Sequence, residues 1–536
     1  MRKPFGGAFA GVLAALLVLS LAAPASADIV IDWNRETLAT IRAGSIPPPR
    51  ASRLLALVHT AVYDAVNGIV GGYDPYHVTP AAPPGASPEA AAAAAAHAVL
   101  VASFPPRQAI YDAALATSLA QVPDGQAEDD GVAWGEEVAA EILALRANDG
   151  SNEVISHPFP NGAGWWLPTP PGFLPPLLPN WPTVTPWAME SGSQFRTGAP
   201  PPLTSDEYSR AFREVRRLGR VDSVFRTPDQ TEIALFWNDG AGTETPPGHW
   251  HAIAQAVAEG NTLAENARLF ALLGVTVADA AIVSWDIKYH YGHWRPVTAI
   301  RAADTDGNDQ TAPDPAWSSL ITTPPFPAYS SGHSTFSGSS ASLLRHFFGN
   351  DDIAFSAVSD GLPGVTRHFS SFSQAAAEAG QSRIYGGIHW QYDNSSGQES
   401  GGALADFVFF NLLRPEISPS ICTPSSTRLC LQGGRFAVSA TWRTAAGASG
   451  AAQAESIGAD SGVLTFFDTD NVELTVKVLD GCQAFDRYWV FASGLTNVEV
   501  TLTVTDTEAG RQRIYFNPLR RPFPPVQDTD AFATCP

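Results

Sequence analysis

Three short stretches of this chain hold residues able to grip and attack a tetrahedral oxyanion. KYHYGHWRP carries Lys288 and Arg295 followed by Pro296, PPFPAYSSGHSTF carries Ser331, Gly332 and His333, and SRIYGGIHWQYD carries Arg383, His389 and Asp393. An anion such as phosphate or vanadate needs several fixed cations and a neutral hydrogen-bond donor. It also needs one imidazole to attack or ligate the central atom and a second to move protons. This set contains each of them. Lys288 and Arg295 lie seven residues apart, about two helical turns, so the spacing predicts both on one helix face. Arg383 and His389 flank Gly386-Gly387, where the missing Cβ atoms predict close approach of backbone to a bound ligand.

The order K-x6-RP, SGH and SR-x5-H-x3-D resembles the three-part signature of the vanadium-dependent haloperoxidase and type 2 phosphatidic-acid phosphatase superfamily, a far more specific signal than any one motif alone. The resemblance implies that Lys288, Arg295 and Arg383 clamp equatorial oxygens, while Ser331 Oγ and the Gly332 amide donate hydrogen bonds. It also implies that His389 binds the central atom, as ligand to vanadium or as nucleophile toward phosphorus, and that His333 is the acid and base. Asp393 would orient its neighbours or make a plain salt bridge. Trp285 and Phe326 stand where chloroperoxidase-type members place aromatic residues near the halide, although ordinary core packing explains either ring equally well. The superfamily usually shows Pro-Ser-Gly-His; here Ser330 stands in place of the proline, which predicts a slightly less rigid loop.

Charge and composition narrow the partners. The formal net charge is −21, so nucleic acid and anionic lipid surfaces are poor partners. A cationic cluster within such an acidic protein points to a specific anion site, and only Lys288 and Lys477 supply lysine after residue 3. Residues 1–27 combine Arg2 and Lys3, an apolar run and Ala25-Ser26-Ala27, which reads as a signal peptide cleaved after Ala27 and predicts secretion. Cys422, Cys430, Cys482 and Cys535 then read as two disulfides, with three connectivities open. No later apolar run reads as a transmembrane segment.

The elements needed to position these residues are mainly helical over 28–415, expected as a bundle of the haloperoxidase and acid-phosphatase type. Apolar stripes or alanine-rich runs predict helices over 51–67, 90–104 and 127–145. Capping signals at Thr204–Glu207 and Thr227-Pro228 predict two more, and a long helix over 262–290 delivers Lys288. Residues 157–203 are a proline- and tryptophan-rich loop, either a belt over the helices or a channel wall. Beyond Pro415, stretches such as RFAVSATW, VELTVKVL and VEVTLTVTD predict a β-sandwich domain over 421–536. His290 and His293 lack a third zinc ligand, and Asp304–Asp309 lacks the full calcium-loop pattern, so a solvated turn is expected there.

The leading expectation is a secreted enzyme that uses vanadate, hydrogen peroxide and a halide to make hypohalous acid, with a small organic acceptor downstream. An exported acid phosphatase using the same site through a phospho-histidine is the alternative. A catalytically silent surface protein, whose β-domain carries the function, is the third.

Overall fold

Helix formation follows the capping residues, and the computed structural model describes residues 28–535. The first 27 residues, and with them the expected signal peptide, lie outside the described residues. Asp28 caps α1 (Ile29–Gly44) by accepting from Val30 and Ile31, and Pro48 opens α2 (Pro48–Val70). The alanine run forms α3 (Pro88–Ser103), which packs with α4 (Gln108–Leu119) and α5 (Gln126–Leu145). Ser205 caps α6 (Asp206–Leu218) by accepting from Tyr208; the full capping box forms instead at α7 (Pro228–Phe236), between Thr227 and Gln230. The chain continues through α8 (Thr245–Val257) into the longest helix, α9 (Leu263–Tyr291), which has a second capping box at Thr262 and Glu265.

Helix α9 is the axis of the fold. It is long and apolar enough to cross a bilayer by length and composition, yet 94% of its most apolar stretch is buried. It packs against α2, α11 (Gly332–Phe348) and α13 (Gln391–Asn411), so its apolar surface is spent on neighbouring helices. Helices α11 and α13 approach closely because α13 presents Gly397 and Gly401. A Cβ on Gly401 would lie 2.3 Å from the Thr335 carbonyl oxygen, and one on Gly397 2.7 Å from that of Ser331. The two motif segments are thereby held side by side. Helix α12 (Phe372–Tyr385) and a small hairpin of β1 (Phe355–Val358) and β2 (Thr366–Phe369) complete this part of the chain.

The proline-rich loop is strapped down at several points. Asp279 of α9 accepts from the backbone amides of Trp187, Ala188 and Met189 at 2.7–3.1 Å. Arg196 pairs through two nitrogens with Asp286. The loop is both belt and wall, because Leu177 accepts from the Trp285 indole at 3.1 Å and also lines the central cavity.

After Pro415 the alternating residues form two antiparallel sheets around one core. Their strands are β3 (Leu429–Leu431), β4 (Phe436–Arg443), β5 (Ser449–Ala451), β6 (Gln453–Ser456), β7 (Ser461–Thr465), β8 (Val472–Asp480), β9 (Tyr488–Gly494), β10 (Glu499–Asp506), β11 (Arg511–Asn517) and β12 (Val526–Phe532). One sheet runs β11-β10-β4-β3 with β5 on β4, the other β12-β9-β8-β7-β6. In β10 the burial alternates strictly, with Val500, Leu502 and Val504 inward. Disulfides join Cys422 to Cys430 and Cys482 to Cys535. The sandwich is joined to the helices by Phe516 against Phe410 and His346, and by Arg414 and Arg511, which both bind Asp74.

One core feature carries a pH signature. The rings of His59 and His251 stack, and His59 Nε2 and His251 Nδ1 lie 2.8 and 3.0 Å from Asn34 Oδ1, with all three residues fully buried. Burial holds His59 down at about 3, against about 6.5 in an unfolded chain. Below about pH 6.5 the unfolded chain takes up a proton that the folded state refuses, so stability present above that pH is lost as pH falls. Urea unfolding is expected to show wild type losing about 1.4 kcal/mol more than His59→Phe between about pH 7.5 and 5.5. Equal losses in both proteins would remove His59 from the account.

Candidate active site

The three motifs meet around one cavity of about 240 Å³, whose lining includes Trp285, Phe326, Gly332, His333, Arg383 and His389. Lys288, Arg295, Ser331 and Asp393 sit behind that surface and are 0% exposed. Prolines 47, 48, 246, 324 and 325, with Ile46 and Leu177, form the apolar part of the lining.

Lys288 and Arg295 do not share a helix face. Helix α9 ends at Tyr291, Gly292 takes a left-handed φ of 57°, and a Cβ there would lie 2.7 Å from the Phe159 ring. Arg295 is instead the N-cap residue of α10 (Pro296–Arg301), where Pro296 occupies the first turn. Convergence comes from a helix end and a turn. The Lys288 ammonium donates to the carbonyls of Pro327, Ala328 and Ser330, which uses all three of its protons to hold the loop before the SGH motif. Its influence on the cavity is therefore through charge.

The glycines after Arg383 also act differently from expectation. Gly386 and Gly387 meet protein and not the cavity: a Cβ on Gly387 would lie 2.3 Å from the Gly219 carbonyl oxygen, and one on Gly386 2.6 Å from Ile321. Close backbone packing against the end of α6 turns the chain from Arg383 to His389.

The histidines have defined roles in the hydrogen-bond network. His389 Nδ1 lies 2.8 Å from Asp393 Oδ2, which also accepts from the Trp390 amide at 3.0 Å. His389 Nε2 lies 3.1 Å from Arg295 Nη1, an obligatory donor, so this nitrogen is the acceptor and Nδ1 carries the proton. Burial, reinforced by Arg295, Lys288 and Arg383, holds His389 well below its ordinary range and keeps it neutral. His333, in the first turn of α11, is pushed down in the same direction by burial and then Arg383. Ser331 caps that helix by accepting from Ser334, while its own amide donates to the Asp393 carbonyl at 3.0 Å.

The aromatic wall is packed onto the cations. The Trp285 and Phe326 rings are 5.0 Å apart, and the Phe326 centroid is 5.0 Å from Lys288 Nζ and 4.9 Å from Arg295 Cζ. Burial lowers Arg295 to about 9 and Arg383 to about 10, and lowers Lys288, with Arg295 adding to that. It raises Asp393, against the pull of Lys288 and Arg295. Three confined cations thus face few compensating charges. Arg295 Nη2, Arg383 Nε, His333 Nε2 and Ser330 Oγ are buried with no protein partner. A multiply charged anion of phosphate or vanadate type fits this donor set.

Residues 237–239 were not singled out from the sequence. Arg383 Nη1 donates to the Trp237 carbonyl at 2.7 Å, and Asn238 and Asp239 line the cavity beside it. The only local cue is the W-N-D-G turn, which has no fixed spacing to the three motifs. His290 is exposed, while His293 is buried and lies 2.8 Å from the Tyr392 hydroxyl. Asp306 folds onto its own turn, accepting from the Asn308 amide and the Thr311 hydroxyl.

Comparison with known proteins places this geometry. Residues 268–414 match the family model described as the VCPO second helical-bundle domain. The chain is 29% identical over 369 residues to the vanadium chloroperoxidase of Curvularia inaequalis, covering 53% of this chain and 60% of that protein. Among solved structures, a bacterial vanadium-dependent iodoperoxidase is 27% identical with a TM-score of 0.63, over 72% of this chain and 96% of that one. A holo-type bacterial vanadium-dependent chloroperoxidase, 18% identical, superimposes with a TM-score of 0.54 over 68% of this chain and 92% of that one. The helical part of this chain accordingly has the fold of the vanadium-dependent haloperoxidases, and residues 268–414 carry the match to the VCPO second helical-bundle domain, in a chain that spans 60% of the length of the curated relative.

Proposed function

We propose that the chain is a secreted vanadate-dependent haloperoxidase that catalyses X⁻ + H₂O₂ + H⁺ → HOX + H₂O, with 1–27 as signal peptide, 28–415 as catalytic domain and 421–536 as an accessory β-domain. The observation that carries this reading is a neutral imidazole, His389, fixed by Asp393 and backed by Arg295, lining one cavity with the paired rings of Trp285 and Phe326. Vanadate held there supplies the Lewis-acid chemistry that activates peroxide. Asp393 holds His389 in the tautomer that leaves the lone pair on Nε2, the nitrogen that accepts from Arg295 Nη1 and that the anion would take over. Arg295 Nη2 and Arg383 Nε would donate to oxygens of the bound anion; Ser331 and the Gly332 amide would add neutral donors, and Lys288 would contribute charge from behind. His333, kept neutral by its surroundings, takes a proton from incoming peroxide and returns it to the departing oxygen. The Trp285 and Phe326 rings exclude water where a weakly hydrated halide sits, and the apolar proline rim admits a small organic acceptor. The two disulfides suit an exported protein in an oxidising compartment.

The same His389–Asp393 pair would equally serve an acid phosphatase, with His389 attacking phosphorus. Side-by-side assays separate the two. Purified protein is expected to gain bromide or iodide oxidation when vanadate is added, and inorganic phosphate is expected to block that gain by competing for the cradle. Hydrolysis of a generic phosphate ester with no vanadate-dependent halide oxidation would replace the haloperoxidase reading with the phosphatase.

A further inference from the structure

One polar group on the cavity wall has no part in the anion cradle. Thr245 opens α8, borders the cavity and is 1% exposed, and its Oγ1 is buried without a protein partner among the described residues. A buried hydroxyl left unpaired is costly, and a molecule in the cavity is the partner within its reach. The backbone supplies a second, separate observation. Thr245 has a left-handed φ of 65°, which a β-branched residue rarely adopts. Two bonds hold it there: its amide donates to Thr243 Oγ1 at 3.1 Å, and that hydroxyl donates to the Gly240 carbonyl at 2.7 Å. Strain of this kind persists where the surroundings enforce it, and it gathers at ligand sites. Around Thr245 the wall is largely apolar, with Leu177, Pro246, Pro324 and Pro325, while Asn238 is half-buried at its polar margin.

We propose that Thr245 is a specificity-determining residue for the organic acceptor, and that the acceptor is a single apolar ring bearing one hydroxyl, of phenol type. This rests on the haloperoxidase reading of the site. Pockets for organic molecules are mainly apolar, with a few polar groups that fix orientation, and this wall has that composition. The volume of about 240 Å³ falls below the roughly 300–1,000 Å³ of drug-sized ligand pockets, which limits the acceptor to one small ring. A halide or a peroxide has no apolar body to bury against prolines, and the free nitrogens of His333 and Arg383 already serve the peroxide and the anion. The threonine hydroxyl both donates and accepts, so it pairs with a phenol hydroxyl in either sense. The held ring then meets hypohalous acid inside the cavity. For an aromatic ring Ar the step is Ar–H + HOX → Ar–X + H₂O: the carbon–halogen bond forms as the O–X bond breaks, and the ring proton leaves with the hydroxide as water. Orientation by Thr245 directs which ring carbon is halogenated.

The test is an NMR titration of the full chain, free of vanadate and peroxide, with phenol and with toluene, in which a methyl group replaces the hydroxyl. Thr245→Val is equally β-branched and close in shape. It is expected to shift the phenol-to-toluene affinity ratio about 3–10-fold toward toluene, the worth of one neutral hydrogen bond. Thr245→Ser keeps the hydroxyl and is expected to keep the wild-type ratio. Because the readout is a ratio, a general loosening of the wall cancels. An unchanged ratio in Thr245→Val overturns the proposal, as does a shift in Thr245→Ser equal to that in Thr245→Val, or absence of phenol binding by wild type. If Thr245→Val fails to fold by circular dichroism, Thr245→Ala takes its place, and an unchanged ratio there overturns the proposal too. In turnover with vanadate, peroxide and bromide, wild type is expected to give an ortho-to-para bromophenol ratio different from that of reagent hypobromite, and Thr245→Val to move toward the reagent's ratio. The reagent's ratio from wild type overturns the proposal. Absence of vanadate-dependent halide oxidation, with the Thr245 dependence of phenol binding intact, would instead remove the haloperoxidase reading and leave the contact standing.

Discussion

His389→Ala is expected to abolish anion retention, with phosphate or vanadate affinity falling by more than the roughly 10–100-fold that loss of an outer partner costs. In this site His389 offers the one imidazole nitrogen whose tautomer is fixed by a carboxylate, and it sits 3.1 Å from Arg295 and 2.8 Å from Asp393. Truncation removes that nitrogen and also leaves Asp393, already pushed up by burial, with the Trp390 amide as its remaining hydrogen-bond donor. Asp393→Ala is expected to weaken binding within the roughly 10–100-fold range, because His389 remains but its ring and tautomer are no longer held. Equilibrium dialysis with vanadate, read by metal analysis, checks both. A His389→Ala protein that retains vanadate as tightly as wild type would show that the anion is held elsewhere.

His333→Ala is expected to bind the anion nearly as well as wild type while turnover falls about 10²–10⁴-fold, the usual contribution of a general acid or base. His333 lines the cavity with its Nε2 unpartnered, and burial and Arg383 hold it neutral, which leaves a ring nitrogen open for proton transfer beside the anion. The donors on Arg295 and Arg383 and the His389 ring nitrogen are untouched by the change. Steady-state rates at saturating peroxide, beside the dialysis affinity, separate the two effects. Equal losses in affinity and rate would make His333 a binding residue.

The contrast expected between these histidines comes from the family resemblance of the motifs and not from the residues around each imidazole. Helix positions were legible where caps are written locally, as at Thr227-Pro228; the Thr204–Glu207 signal marked a helix start that Ser205 alone caps, while the Thr262–Glu265 box and the Pro48 start were shown by the structure. The strands beyond residue 430 were legible because one face of each sheet is buried, and that forces a period of two. The small β1–β2 hairpin escaped notice because each strand is only four residues long, too short for a period to stand out.

Sequence alone determined the donor chemistry, the end of the Lys288 helix near residue 290, and the number of disulfides that four cysteines permit, whereas the shared helix face expected for Lys288 and Arg295 gave way to a break at Gly292. Only the tertiary structure decided that Cys422 pairs with Cys430 and Cys482 with Cys535, because pairing depends on which strands become neighbours. It alone turned Lys288 onto three carbonyls and laid Phe326 over two cations. Tertiary structure likewise brought the Trp237 carbonyl to Arg383, 146 residues away along the chain. Motif spacing reports contacts within a turn or a helix, whereas these contacts follow from how α7, α9 and α12 pack, and packing is set by the whole apolar surface of each helix.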